Sequence, residues 1–132
     1  MEEPNGQEDR IAKIIVNAAF KVHNKLGPGL LEKIYEACLA YELESAGCKV
    51  ARQVAFPVMY EDLVFEEGYR VDLLVEDSVI VELKAAEKPH PVWQAQLLSY
   101  MKLANKRLGL LINFNTTLFK DGVQRLVNSR RL

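Results

Sequence analysis

Several features that would place this chain in a familiar class are scarce in its sequence. There are only two cysteines, Cys38 and Cys48, which are not in CxxC spacing and have no nearby histidine. A zinc site or a disulfide framework is therefore not expected, and we interpret both as reduced thiols. No apolar run approaches the roughly 18 residues of a membrane span, and the acidic, polar start lacks the form of a signal peptide. We expect a cytoplasmic protein with no membrane partner.

The sequence also lacks the basic excess that is usual in a dedicated nucleic-acid-binding protein. Its 17 Lys and Arg residues are offset by 18 Asp and Glu residues, which gives a formal net charge of -1. The charge is uneven, because the segment from Lys102 onward carries seven basic residues and the single acid Asp121. A basic flank suits a phosphate backbone, but a solvated surface explains the same residues equally well. Charge alone therefore permits a nucleic-acid partner without indicating one.

The length of 132 residues fits one domain, which we predict over residues 9–132 after a disordered tail at 1–8. Apolar residues recur at helical spacing from Asp9 to about Leu26, and Gly27-Pro28-Gly29 ends this helix. A second helix runs from Leu30 until it stops near Gly47, where glycine suits a left-handed C-terminal cap.

From Lys49 the periodicity changes from helical to extended. One strand ends near Tyr60, with Pro57 marking it as an edge strand or locally irregular. Two further strands follow, then a third helix from Val92 to about Asn105, an apolar strand from Arg107 to Phe114 and a short last element. The predicted order is α-α-β-β-β-α-β. We expect an α/β (α+β) fold with a central mixed four-stranded sheet flanked by helices.

The most informative stretch contains acids where a buried apolar pattern should not have them. The apolar runs Val71–Val75 and Val79–Leu83 flank a polar break at residues 76–78, which predicts two strands joined by a tight turn. Asp72 interrupts the first run and Glu82 the second. If the strands pair as a hairpin about residue 77, Asp72 and Glu82 lie side by side.

Two adjacent carboxylates repel each other unless a cation offsets their charge. A divalent ion between Asp72 and Glu82 would do so, and hard oxygen ligands suit Mg²⁺ or Mn²⁺. Lys84 lies on the same face of its strand as Glu82, where its charge can stabilise a developing anion or orient a water.

Asp72, Glu82, Leu83 and Lys84 together resemble the active-site signature of the PD-(D/E)XK nuclease superfamily. The segment Gly29-Leu30-Leu31-Glu32-Lys33-Ile34-Tyr35 is similar to the naming motif of the GxxExxY proteins, small bacterial members of that superfamily. Gln96 and Tyr100 resemble the QxxxY motif of its RecB-like members. The resemblance extends from about residue 11 to 128, and it implies a restriction-endonuclease-like core.

The resemblance also implies a role for each matching residue. Asp72, Glu82, Glu32 and the backbone carbonyl of Leu83 would bind the metal, and Lys84 would be catalytic alongside the acids. Gln96, Tyr100 and Tyr35 would contact the substrate. For Glu32 alone, a favourable position in the first turn of its helix is a sufficient structural explanation.

Three functions remain open on the sequence. The first, favoured by the resemblance, is an Mg²⁺- or Mn²⁺-dependent nuclease that hydrolyses phosphodiester bonds in DNA. The second is a nucleic-acid-binding or regulatory module that keeps the fold but has little turnover. The third is an interaction protein in which Asp72, Glu82 and Lys84 form a buried salt-bridge network. The resemblance also admits a homodimer, because many superfamily enzymes pair to cut both strands.

Overall fold

Helices pack on both faces of a mixed sheet in this chain. A computed structural model describes residues 3–129. The elements within that range are, in chain order, α1 (Gly6–Leu26), α2 (Glu32–Ser45), β1 (Val50–Tyr60), β2 (Leu63–Val75), β3 (Val79–Lys84), α3 (Val92–Ala104), β4 (Leu108–Asn113), a 3-10 turn (Phe119–Gly122) and β5 (Val123–Val127).

The strands are arranged in the order β1-β2-β3-β4-β5. Neighbouring strands are antiparallel except β3 and β4, which are parallel because α3 carries the chain back across the sheet between them. The mixed α+β architecture and the predicted order are confirmed. The sheet has five strands rather than four, since the short last element pairs with β4 from Ile112 opposite Val123 to Leu108 opposite Val127.

The first helix begins earlier than the sequence pattern predicts, at Gly6 rather than Asp9. Asn5 and Glu8 form a capping box in which each side chain accepts a hydrogen bond from the other's backbone N–H, both at 2.8 Å. Glu8 is also buried, and its carboxylate pairs with Arg107 at 3.2 Å. Residues 6–8 of the predicted tail therefore lie within α1. Residues 1–2 of that tail, and 130–132 of the predicted domain, lie outside the described residues.

Two apolar clusters fill the two faces of the sheet. The cluster beneath α1 and α2 includes Leu73, Val81 and Leu83, whereas the cluster beneath α3 includes Leu74 and Ile80. Successive strand residues alternate between these clusters, as side chains on a sheet covered on both sides must. Every residue of β4 is buried, as in a strand that helices cover on both faces of the sheet.

The outer strand β1 is irregular at the predicted place. Its pairing with β2 shifts between Phe56 and Val58, on either side of Pro57. A side chain at Gly68 on β2 would meet Val58 there, with an added Cβ only 2.2 Å from Val58 Cγ2. The edge position of β1 is consistent with the proline, which cannot donate a ladder hydrogen bond.

Cys38 and Cys48 are both free thiols and half-buried. Among residues 3–129, none of the helices combines the length and apolar character needed to cross a bilayer.

Candidate active site

The hairpin formed by β2 and β3 has the predicted register. Leu73 lies opposite Val81 and Val75 opposite Val79, so the next pair outward is Asp72 and Glu82. The turn is tight because Glu76 and Asp77 both adopt left-handed backbone conformations, with φ of 53° and 52°. The register brings the two predicted acids together.

Each of these two carboxylates is held by the backbone of the other strand. Glu82 Oε1 accepts a hydrogen bond from the Asp72 N–H at 3.0 Å, and Asp72 Oδ2 accepts one from the Leu83 N–H at 2.8 Å. The side chains replace ladder hydrogen bonds at the end of the hairpin, where the two strands separate. This reciprocal pair fixes both acids against the sheet.

Burial makes the ionised form of Glu82 unfavourable. Only 7% of the residue is exposed, and desolvation together with the nearby Asp72 charge raises the pKa of Glu82 from 4.5 to about 8. The hydrogen bond from the Asp72 N–H and the charge of Lys84 oppose this rise. Metal-free Glu82 is therefore mostly protonated at neutral pH, and a cation would favour its ionised form.

Glu32, the first residue of α2, interacts electrostatically with the same acids. Its pKa is raised, first by desolvation and then by the charge of Asp72, whereas Lys84 lowers it. The N-terminal end of α2 thus brings a third carboxylate into the electrostatic environment of Asp72 and Glu82. The position fits the predicted site residue, even though it also lies in the favourable first turn of a helix.

Lys84 is half-buried at the end of β3. Its Nζ lies 5.5 Å from the centroid of the Trp93 ring on α3. Among residues 3–129, no ion pair within 4.0 Å joins Lys84 to Asp72 or Glu82. The arrangement therefore differs from the salt-bridge network that the third function requires.

Gln96 and Tyr100 lie on α3. The charges of Glu82 and Asp72 act on the Tyr100 hydroxyl. The pKa of the Tyr100 hydroxyl is raised by desolvation first and then by Glu82, with a weaker effect of Asp72. A hydrogen bond with the Gln96 side chain opposes the rise. The Tyr100 ring also stacks on Tyr69, with centroids 4.6 Å apart. The second residue of the QxxxY spacing thus lies within the electrostatic influence of the acidic pair.

A comparison with protein families agrees with this geometry. The family model described as the PD-(D/E)XK nuclease superfamily matches residues 9–126. The chain belongs to the PD-(D/E)XK nuclease superfamily. Searches of curated proteins and of solved structures gave no significant match. The family match indicates a nuclease and, with it, a nucleic-acid substrate.

PD-(D/E)XK nucleases typically use divalent metals. Within the described part of the chain, no three His, Cys, Asp or Glu side chains lie close enough to hold a metal by themselves. Asp72 and Glu82 nevertheless offer two fixed carboxylates, and the backbone of Leu83 lies against Asp72. Mg²⁺ commonly binds one or two carboxylates and keeps several waters. This donor set fits such an ion, with Glu32 nearby, and does not resemble a closed structural site.

Tyr35 is not part of this superfamily site, although the sequence motif suggested that it binds substrate. Its side chain is completely buried, and its ring stacks on Phe114 with centroids 4.5 Å apart. The hydroxyl donates to the Gly27 carbonyl at 2.6 Å and accepts from the Leu30 N–H at 3.1 Å. A residue so enclosed cannot contact nucleic acid. We correct its role to that of a structural link between α2 and the turn before it.

Two polar residues beside the site were missed by the sequence analysis. Gln53 of β1 donates to Asp72 Oδ1 at 3.1 Å and to Glu36 Oε1 of α2 at 2.7 Å. Glu36 follows Glu32 by four residues, a spacing that places both on one helix face and could have signalled its proximity. Nothing in the sequence around Gln53 distinguishes it from a solvent-exposed strand residue.

Proposed function

We propose that this superfamily member is a divalent-metal-dependent nuclease that hydrolyses phosphodiester bonds in DNA, of the GxxExxY kind with a RecB-like QxxxY pair. The observation that carries the proposal is the reciprocal hydrogen bonding of Asp72 and Glu82, with Lys84 two residues beyond Glu82 on the same strand. Glu82 is buried and Asp72 is partly buried, and no ion pair within 4.0 Å neutralises either acid among the described residues, so a bound divalent ion would offset the cost of holding both charges.

Asp72, Glu82 and the Leu83 carbonyl would hold Mg²⁺ or Mn²⁺, with Glu32 acting through a bound water, because the three carboxylates do not lie close enough to share an ion directly. The ion supplies Lewis acidity and a more acidic bound water when it is present. The fixed hydrogen bonds to Asp72 and Glu82 hold both carboxylates in position before an ion arrives, which limits reorganisation on binding.

Lys84 and the α3 residues would act on the nucleic acid itself. The Lys84 ammonium can stabilise the negative charge that develops on the phosphate oxygens, since no described carboxylate within 4.0 Å neutralises it. Gln96 and Tyr100 can donate hydrogen bonds to the sugar-phosphate backbone at the edge of the site. These contacts are independent of base identity, so we expect weak sequence specificity.

The decisive experiment compares Asp72→Asn with the wild-type protein. The substituted amide keeps an acceptor for the Leu83 N–H but carries no charge, so the fold should persist while Mn²⁺ binding and cleavage are lost. Mn²⁺ binding is measured by calorimetric titration. Cleavage is measured on labelled single-stranded and duplex DNA, with EDTA blanks. Asp62→Ala, at an exposed acid in the β1–β2 turn, is the matched control and should retain both activities.

The outcomes separate the candidate functions. Metal-dependent cleavage by wild type that disappears in Asp72→Asn supports the nuclease. DNA binding without cleavage, unchanged in Asp72→Asn, would favour the binding module instead. Full cleavage by Asp72→Asn would refute the assigned mechanism.

A further inference from the structure

The side-chain amide of Gln53 lies between two carboxylates from different elements. Its Nε2 donates to Asp72 Oδ1 at 3.1 Å and to Glu36 Oε1 at 2.7 Å, which uses both hydrogens of the amide. The other oxygen of Asp72, Oδ2, accepts from the Leu83 N–H at 2.8 Å. Both oxygens of Asp72 therefore have a fixed partner, and the plane of the carboxylate is set from two sides.

Glu36 is itself held firmly. Only 7% of the residue is exposed, and its second oxygen, Oε2, accepts from Arg52 Nε at 3.1 Å. Glu36 thus receives hydrogen bonds from two consecutive residues of β1, Arg52 and Gln53. Consecutive side chains of a regular strand point to opposite faces, so an ordinary strand would not allow this.

The backbone at Gln53 explains how both side chains reach Glu36. Gln53 has φ of 51°, in the left-handed region that a glutamine rarely adopts. The ladder with β2 continues on both sides, with Arg52 opposite Leu73 and Val54 opposite Val71. Such a local conformation costs free energy, and it persists where surrounding contacts enforce it. In this register Gln53 falls between these two pairs, opposite Asp72, and its amide donates to that carboxylate.

We propose that Gln53 is a positioning residue, held by Glu36, that fixes Asp72 in the orientation required of a metal ligand. The inference rests on the proposed metal site and adds residues that the superfamily signature does not contain. Partners that hydrogen-bond to a ligating carboxylate commonly change metal affinity about 10- to 100-fold when they are removed.

The first test removes the amide without removing the bulk of the side chain. Gln53→Leu should weaken Mn²⁺ binding by about 10- to 100-fold, measured by calorimetric titration. Gln94→Leu is the matched control, because Gln94 is also exposed and hydrogen-bonded, but to Gln124 on β5. Glu36→Gln, which keeps an acceptor for Gln53, should cost less affinity than Glu36→Leu. Unchanged Mn²⁺ affinity in Gln53→Leu would overturn the proposal.

A second variant separates positioning from stability. Glycine adopts positive φ at little cost, so Gln53→Gly should leave the midpoint of thermal unfolding near the wild-type value or above it. Mn²⁺ affinity should nevertheless fall as far as in Gln53→Leu. A residue with a merely structural role would show the opposite pattern, with lower stability and unchanged affinity per folded molecule.

A third readout needs no metal, and so distinguishes failure of this inference from failure of the proposed function. If Asp72 is released in Gln53→Leu, its hydrogen bond with the Leu83 N–H weakens, and the Leu83 amide should exchange with solvent faster than in wild type. The amide of Leu111 in β4 serves as the internal reference. Faster Leu83 exchange with no Mn²⁺ binding in wild type would keep the positioning role and refute the metal site. Unchanged exchange and affinity, with Mn²⁺ binding intact, would refute the positioning role alone.

Discussion

The Lys84 ammonium lies over the Trp93 ring, 5.5 Å from its centroid, and so links the last residue of β3 to the second residue of α3. Trp93 is partly buried against the cluster beneath α3, which fixes the ring. A fixed aromatic face can hold a cation by its quadrupole while leaving the N–H donors free. Lys84 is therefore held near the acidic pair without being neutralised by it.

Replacing Trp93 by leucine should slow DNA cleavage while leaving metal binding intact. Loss of a cation–π contact at a partly exposed site is worth about 0.5–1 kcal/mol, which corresponds to about a two- to fivefold lower rate. Trp93→Phe keeps an aromatic face and should lose less. Single-turnover cleavage and Mn²⁺ titration measure the two effects. Parallel losses of rate and of metal affinity would show that Trp93 supports the whole site rather than Lys84.

The raised pKa of Glu82 predicts that metal-free protein loses stability as the pH rises. The folded state keeps a proton on Glu82 up to about pH 8, whereas the unfolded state releases it near 4.5. The free energy of unfolding should therefore fall between these pH values, and Glu82→Gln should flatten that dependence. Urea unfolding in EDTA at several pH values measures it. If the free energy of unfolding changes with pH equally in wild type and in Glu82→Gln, the raised pKa does not belong to Glu82.

The proton on Glu82 should be released to solvent when a metal ion binds. An ion held by ionised Glu82 must displace the proton, so Mn²⁺ binding near pH 7 should release close to one proton per site. Calorimetry in buffers of different ionisation enthalpy counts the protons released. The affinity should rise with pH up to about 8 and then level off. Binding that releases no proton would place the ion away from Glu82.

The sequence predicted the hairpin that carries the acids because the determinants there are local. Two apolar runs and a three-residue break define the turn, and the period of two along each strand then decides which side chains face each other. The placement of Asp72 beside Glu82 follows from these facts alone. The fifth strand was harder to predict, because Val123–Val127 is short and half-exposed and becomes a strand by pairing with β4.

Tyr35 and Gln53 show what local patterns cannot provide. The motif containing Tyr35 identifies the residue, but its burial depends on the packing of α2 against Phe114 and on the course of the chain at Gly27. The proposed role of Gln53 at Asp72 depends on its positive φ and on its hydrogen bond to Glu36 of α2. Both are tertiary properties, so neither is expressed in spacing or composition.

The capping box of α1 predicts a measurable role for the first residues of the chain. Asn5→Ala removes the side chain that caps the Glu8 N–H and should destabilise the protein by about 1 kcal/mol. Glu3→Ala, in the exposed segment just before the helix, should change the stability little. The midpoint of urea unfolding measures both. Equal stability of Asn5→Ala and wild type would show that the capping box does not stabilise the fold.

The last prediction concerns Tyr35, whose hydroxyl bridges two backbone groups before α2. Tyr35→Phe keeps the stacked ring but leaves the Gly27 carbonyl and the Leu30 N–H without their partner, which should cost about 1–3 kcal/mol of stability. Tyr41→Phe, at a tyrosine 67% exposed on the same helix, should cost less than about 0.5 kcal/mol. Because Tyr35 is fully buried, KM for DNA should be unchanged for the folded fraction. A raised KM with unaltered stability would instead return Tyr35 to the substrate-binding role that its motif suggested.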